Sequence, residues 1–167
     1  MRAFYPGTFD PLTNGHWQVI RLAAEMFEEV TIGFGANSEK KRLTDRDKMA
    51  EATRVLLARA HLDHVRVVTY DTLTYQAAQA AGAQVLVRGL RNGVDYDFEE
   101  NLAEVNARVG GLETIYIRAG QMGFVSSSMV REMLIHGEKV AEFVPREIAG
   151  LLEGAQGQIA AGARGKA

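Results

Sequence analysis

A doubly wound α/β fold, with a mostly parallel sheet of about five strands covered by helices on both faces, is predicted by three features of this chain. Short β-branched or apolar runs alternate with segments of helical apolar period as far as residue 135. Val85-Leu86-Val87 is apolar on both pleats, as expected of a strand buried on both faces. A glycine turn joins the first strand directly to the first helix, which is how such sheets build a ligand site at the carboxyl edge of their strands.

The chain opens on Ala3-Phe4-Tyr5, a short run of strand character that Pro6 and Gly7 end. A helical period of Ile20, Ala23, Ala24 and Phe27 begins after Gly15 and predicts a helix over residues 14–28. Residues 30–35 are a β-branched run and a second strand. Gly33-Phe34-Gly35 is no dinucleotide fingerprint, because no third glycine follows and residues 36–42 form a polar loop. Thr44, with Asp47 at the third position, is expected to cap a helix ending near residue 59. A third strand over 65–70, an alanine-rich helix over 75–81 closed by Gly82, and the fourth strand at 85–87 follow. Arg88-Gly89-Leu90-Arg91-Asn92-Gly93 leads into a long helix over 94–108 and a fifth strand over 114–117, and Ser126-Ser127-Ser128 opens a helix through residue 135. Residues 1–153 are expected to form a single domain. Residues 154–167, small and polar with few core-forming side chains, are expected to be a flexible C-terminal tail.

With 167 residues, 47% of them hydrophobic, the chain suffices for one well-packed domain. A net charge of −2 offers no global basic field, so no nucleic-acid or membrane partner is expected and any anion site must be built locally. The chain has no cysteine, hence no disulfide framework or thiolate metal site, and no apolar run of signal or transmembrane length. A cytoplasmic protein is the expectation.

The stretch Tyr5-Pro6-Gly7-Thr8-Phe9-Asp10-Pro11-Leu12-Thr13-Asn14-Gly15-His16 organises the rest. Strand, glycine turn and helix start leave backbone N–H groups and the positive end of a helix dipole facing one spot, which favours an anion. His16, in the first helical turn, is placed to donate to a phosphate oxygen, and Thr8 adds a hydroxyl. Each piece alone has an ordinary reading: Gly7 and Gly15 as turn glycines, Asn14 as a cap, His16 as a surface residue. Yet the loop holding Lys40, the segment with Arg88 and Arg91, and the Ser126, Ser127, Ser128 turn also follow strands, so all belong on the same sheet edge. Three cations converging there suit a polyanion.

Thr13-Asn14-Gly15-His16 resembles the T/H-x-G-H signature of the nucleotidyltransferase superfamily. Tyr5-Pro6-Gly7-Thr8-Phe9-Asp10-Pro11 resembles its bacterial phosphopantetheine adenylyltransferase branch. Arg88-Gly89-Leu90-Arg91 with Asp95-Tyr96-Asp97-Phe98-Glu99 resembles that branch's R-G-L-R…D-F-E-Y-E block, and Phe124-Val125-Ser126-Ser127-Ser128-Met129-Val130-Arg131 its I-S-S-S-x-V-R block. The resemblance runs from Met1 to about Pro145 and implies a Rossmann-like sheet and a homohexamer built as a dimer of trimers. It implies transfer of AMP from ATP, with Mg²⁺, to 4′-phosphopantetheine, giving dephospho-CoA and pyrophosphate. The attacking phosphate, with a second pKa of about 6, needs no general base.

By the same resemblance His16, Lys40, Thr8, Arg88 and Arg91 form the catalytic set, with His16 stabilising the transition state at the α-phosphate. ATP would be bound by Thr8, Phe9 (through its backbone), His16, Gly89, Leu90, Arg91, Glu99, Met122, Gly123, Phe124, Val125, Ser126, Ser127 and Ser128. The acceptor would be held by Thr8, Lys40 and Arg88 and its pantetheine arm by Leu73, Thr74, Leu102 and Asn106. No protein metal ligand is implied. The chain departs from the family pattern at Thr74, where an apolar residue is usual, at Met122, where an aromatic is usual, and at Arg42, where proline is common. Rival readings are a nicotinate mononucleotide adenylyltransferase, a cytidylyltransferase, and a non-catalytic nucleotide sensor. His61 and His64 lie in a short polar connection without partner ligands and read as surface residues, and His136 sits at a helix end.

Overall fold

The computed structural model describes residues 1–36, 42–91 and 93–164. Five parallel strands, β1 (Arg2–Gly7), β2 (Glu29–Gly35), β3 (Val65–Tyr70), β4 (Val85–Leu90) and β5 (Glu113–Arg118), form one sheet in the order β3-β2-β1-β4-β5. The chain winds outward from β1 to β3, then returns to place β4 on the other side of β1, so the winding reverses between β1 and β4. The helices are α1 (Asn14–Met26), α2 (Arg46–Arg59), α3 (Thr74–Ala80), α4 (Gly93–Gly110), α5 (Ser127–Ile135) and α6 (Arg146–Arg164), with a short 3-10 turn at Gly120–Met122. The doubly wound α/β sheet predicted from the sequence is therefore the observed one.

Pleat alternation divides the core. Ala3, Tyr5, Val30, Ile32, Val85 and Val87 face one way and pack with Ile20 and Ala23 of α1, Met49 and Leu57 of α2, Val130 and Leu134 of α5, and Ile148 and Leu152 of α6. Phe4 and Leu86, directly opposed across β1 and β4, face the other way against Ala77 and Ala78 of α3 and Leu112. Gly33 is explained by the same layer: a Cβ there would lie 2.2 Å from the Phe4 ring. The glycines of Gly33-Phe34-Gly35 thus serve close packing on an aromatic ring.

Pairing between β1 and β4 shapes the site. β1 pairs with β2 along its whole length, yet it pairs with β4 only at Ala3 with Val85 and Phe4 with Leu86. Past those residues the strands part, and Pro6, which has no N–H to offer a ladder, occupies the parted end. The opening lies at the carboxyl edge where the winding reverses, the place where such sheets bind ligands.

One sequence expectation is corrected and one helix is added. α2 is capped by Asp45, whose carboxylate accepts from the Lys48 N–H at 2.9 Å. Thr44 lies one residue before that cap, and its hydroxyl is turned to Asp10, to which it donates at 2.6 Å. α6 was missed, although Ile148 and Leu152 are fully buried and Glu147 bonds Arg59 of α2 at 2.8 Å. Its helical backbone continues through Arg164, into the segment expected to be a tail. Among the described residues no helix is long and apolar enough to cross a membrane.

Candidate active site

The parted strands open a cavity of about 250 Å³ lined by Thr8, Phe9, His16, Arg88, Gly89, Arg91, Glu99, Val125, Ser126, Ser127 and Ser128, together with Tyr5, Pro6 and Thr13. Turn, arginine segment and serine turn, distant in sequence, thus meet around one space. A second cavity of about 180 Å³ adjoins it, lined by Leu73, Thr74, Leu102 and Asn106 and sharing Pro6, Arg88 and Glu99 with the first. Lys40 lies outside the described residues. Leu90 is engaged elsewhere, its carbonyl accepting from the Ala119 N–H at 3.0 Å. Met122 lines a shallow groove with Trp17 and Gln18 on the outer side of α1, and the exposed Phe124 ring packs edge-on against Phe143, so neither lines the cavity. Gly123 does not line it either, but its backbone lies beside that of Arg91, within 3.7 Å of a Cβ built there.

His16 is fixed by its own helix end. Thr13 caps α1, its hydroxyl accepting from the His16 N–H at 3.4 Å, while His16 Nδ1 accepts from the Thr13 N–H at 3.0 Å. This is a capping box with histidine in the place of the usual Glu or Gln. A backbone N–H can only donate, so Nδ1 must present a lone pair and the ring proton must sit on Nε2. The imidazole also packs edge-on against Phe9, centroids 5.1 Å apart. Burial first, then the Arg91 and Arg88 charges, lower its pKa to about 4, so at neutral pH it is a neutral Nε2–H donor with one orientation.

Since the unfolded histidine protonates near pH 6.5 and the folded one only near 4, the unfolded state binds more protons in between. His16 stability is therefore fully present above pH 6.5 and lost as pH falls toward 4, about 2 kcal/mol of it by pH 5. Denaturant titrations at pH 7 and pH 5 should show a smaller drop for His16→Gln than for the unmodified protein. Equal drops would show that His16 protonates normally.

Arg88 is clamped on three sides. Nε and Nη2 donate to the two oxygens of Glu99 at 2.5 and 2.6 Å, and Nη1 donates to the Pro6 carbonyl at 2.8 Å, across the gap where ladder bonds stop. Burial opposes its charge, but the Glu99 carboxylate outweighs that and raises its pKa. Burial likewise raises that of the neighbouring Tyr5 hydroxyl, keeping it a neutral donor. The clamp forms the wall between the two cavities. Ser126 caps α5 by accepting from Met129 N–H at 3.0 Å, and Ser127 donates to the Pro11 carbonyl at 2.9 Å, tying the serine turn to the first one.

Sequence reasoning missed Asp10. Its carboxylate, 5% exposed, accepts from the N–H groups of Leu43 and Thr44 at 2.8 and 2.9 Å, from the Thr44 hydroxyl, and from Arg131 of α5. One buried group thus joins the first turn, the entry to α2 and the serine helix. A buried acid beside proline carried no periodic signal. Gly15 also has a packing reason: a Cβ there would lie 3.1 Å from the Met122 carbonyl.

The described residues do not build a site for a metal held by the protein. Among the described residues no three His, Asp or Glu side chains come together, and Glu99, the sole carboxylate lining the cavity, is taken up by Arg88. His64 uses Nε2 on the Ala24 carbonyl at 2.9 Å and His136 pairs with Glu132 at 3.0 Å.

The family model described as Cytidylyltransferase-like matches residues 4–133, a span holding every described residue of the main cavity. Among solved structures, one titled as that of a putative nicotinate-nucleotide adenylyltransferase from Vibrio parahaemolyticus is similar at a TM-score of 0.65, 16% identity and 93% coverage of each chain. At that identity the likeness concerns the fold.

Proposed function

The chain belongs to the cytidylyltransferase-like family of nucleotidyltransferases, and on that premise we propose that it moves AMP from ATP to 4′-phosphopantetheine, releasing pyrophosphate and forming dephospho-CoA. The observation that carries this reading is the pair of cavities sharing the Arg88–Glu99 wall. One is lined by cations, serine hydroxyls and the start of α1, as a triphosphate requires. The other is lined by Leu73, Leu102, Val105 and Asn106, as suits a slender arm with amides. A phosphate at the shared wall would meet Thr8 and Arg88 from one side and the α-phosphate of ATP from the other.

In this reading the acceptor oxygen attacks the α-phosphorus in line and pyrophosphate leaves, without a covalent enzyme intermediate. His16 donates through Nε2 to an α-phosphate oxygen as charge builds, while Arg91, the Ser128 hydroxyl and the Ser127 backbone N–H hold the departing phosphates. No side chain need remove a proton, since the attacking phosphate is already ionised. Mg²⁺ would arrive on the triphosphate as its counterion. The protein would be cytoplasmic and assemble as a homohexamer, to be checked by sedimentation.

Pyrophosphate release measured with ATP and a panel of acceptors tests the assignment. 4′-Phosphopantetheine should be preferred by orders of magnitude in kcat/KM. Preference for nicotinate mononucleotide, or for CTP over ATP, would replace it with one of the other family activities, and tight nucleotide binding with no turnover would make the protein a sensor.

A further inference from the structure

Phe9 is one of two non-glycine residues among the described ones with positive φ, at 42°, a conformation a bulky side chain resists. Its ring is buried against Tyr5, His16 and Phe34, which fixes the side chain but not the peptide that precedes it. That peptide is held from outside: Arg42 Nη1 donates to the Thr8 carbonyl at 2.9 Å, and Arg42 Nε donates to the Thr44 carbonyl at 3.2 Å, bridging the first turn to the entry of α2. The Thr8–Phe9 bond is trans, so its carbonyl and N–H point to opposite edges of one plane. Holding the carbonyl toward Arg42, which does not line the main cavity, turns the Phe9 N–H away from Arg42, and Thr8 and Phe9 both line that cavity.

We propose that Arg42 is a positioning residue for the nucleotidyl-transfer site: by gripping the Thr8 carbonyl it keeps the Phe9 N–H and the Thr8 hydroxyl aimed at the phosphates of the bound nucleotide. A proline at position 42, common in the family that the sequence resembles, would have no side-chain donor with which to make the grip.

A purely structural arginine fits the observations less well. Arg42 Nη2 is buried and has no partner among the described residues, and the Arg46 and Arg131 charges stand near the same guanidinium. Burial lowers the Arg42 pKa, Asp10 offsetting part of the effect. A residue retained for stability alone would have its buried donors satisfied. An anion arriving at Thr8 and Phe9 would add to the Asp10 and Asp45 carboxylates in offsetting the burial of this cation, so the arrangement is stabilised further when nucleotide binds.

The proposal rests on the nucleotidyltransferase reading, and nucleotide binding separates the two. ATP with Mg²⁺ and, separately, CTP are titrated calorimetrically into the full chain and into Arg42→Ala, with a thermal melt and steady-state kinetics beside them. The variant should bind the preferred nucleotide about tenfold more weakly, since one charge-assisted hydrogen bond is lost. KM should rise by the same factor with kcat changed less than threefold, and millimolar guanidinium should restore part of the affinity. Should Arg42→Ala not fold, Arg42→Met, which keeps the stem and lacks the donors, reads the same quantity. Unchanged affinity in a folded variant overturns the proposal, as does a fall in kcat with affinity intact. Failure of the unmodified protein to bind either nucleotide would sink the nucleotidyltransferase reading and the proposal with it.

Discussion

Replacing His16 by alanine is expected to lower kcat by about 10² to 10³, the effect of removing one preorganised donor from a site where negative charge develops. Affinity for ATP should change far less, because the Nε2–H bond is stronger to the charge of the transition state than to bound ATP. Sequence alone predicts that the same substitution leaves the melting temperature nearly untouched, on the reasoning that the ring faces ligand and not core. The structure changes that expectation. Nδ1 closes the capping box on Thr13 and the ring packs on Phe9, so alanine should also cost about 1 kcal/mol and a few degrees of melting temperature. His16→Gln separates the two roles, since glutamine at this position can still reach the Thr13 N–H while placing no imidazole in the cavity. It should melt closer to the unmodified protein and stay slow. A variant that regains stability and turnover together would make His16 a structural residue, and an unchanged kcat with raised KM would make it a plain binding contact.

The strands and most helices were legible because each carries a period its burial demands. Val85-Leu86-Val87 is apolar on both pleats since Leu86 packs with Phe4 on one face and Val85 and Val87 on the other. The convergence of Thr8, His16, Arg88, Arg91 and the serine turn was legible as well, because residues that follow parallel strands share one edge. What escaped lies in contacts without local pattern. Thr44 has every local mark of a cap, yet a buried carboxylate far away in sequence takes its hydroxyl. Glu99 lines the cavity and also accepts from Arg88, a pairing across the strand-to-helix turn that periodicity does not announce. α6 buries Ile148 and Leu152, but its glycines and alanines after residue 153 dilute the helical period.

Asp10→Ala should be the most destabilising single change at this edge of the sheet. It takes an acceptor at once from two backbone N–H groups, from the Thr44 hydroxyl and from the Arg131 guanidinium, and Thr44 is buried too deeply for water to replace it. Orphaned buried donors cost about 1 to 3 kcal/mol each, and removing one partner of a buried ion pair about 3 to 5 kcal/mol. Arg131 is partly open to solvent, its side chain 29% exposed, which discounts the ionic share. A total loss of about 3 kcal/mol, seen as roughly a ten-degree drop in melting temperature, is the expectation. Asp10→Asn should lose less, since one oxygen remains for Thr44, while the new NH₂ group faces donors where an acceptor is needed. The decisive measurement is a double-mutant cycle with Arg131→Met by denaturant titration. If Asp10 answers the Arg131 charge, the double variant should be more stable than the sum of the single losses predicts, because the cation deprived of that carboxylate is gone as well. Strict additivity would mean that Asp10 acts through the Leu43 and Thr44 N–H groups and the Thr44 hydroxyl alone, holding the entry of α2 to the first turn without steering the serine helix.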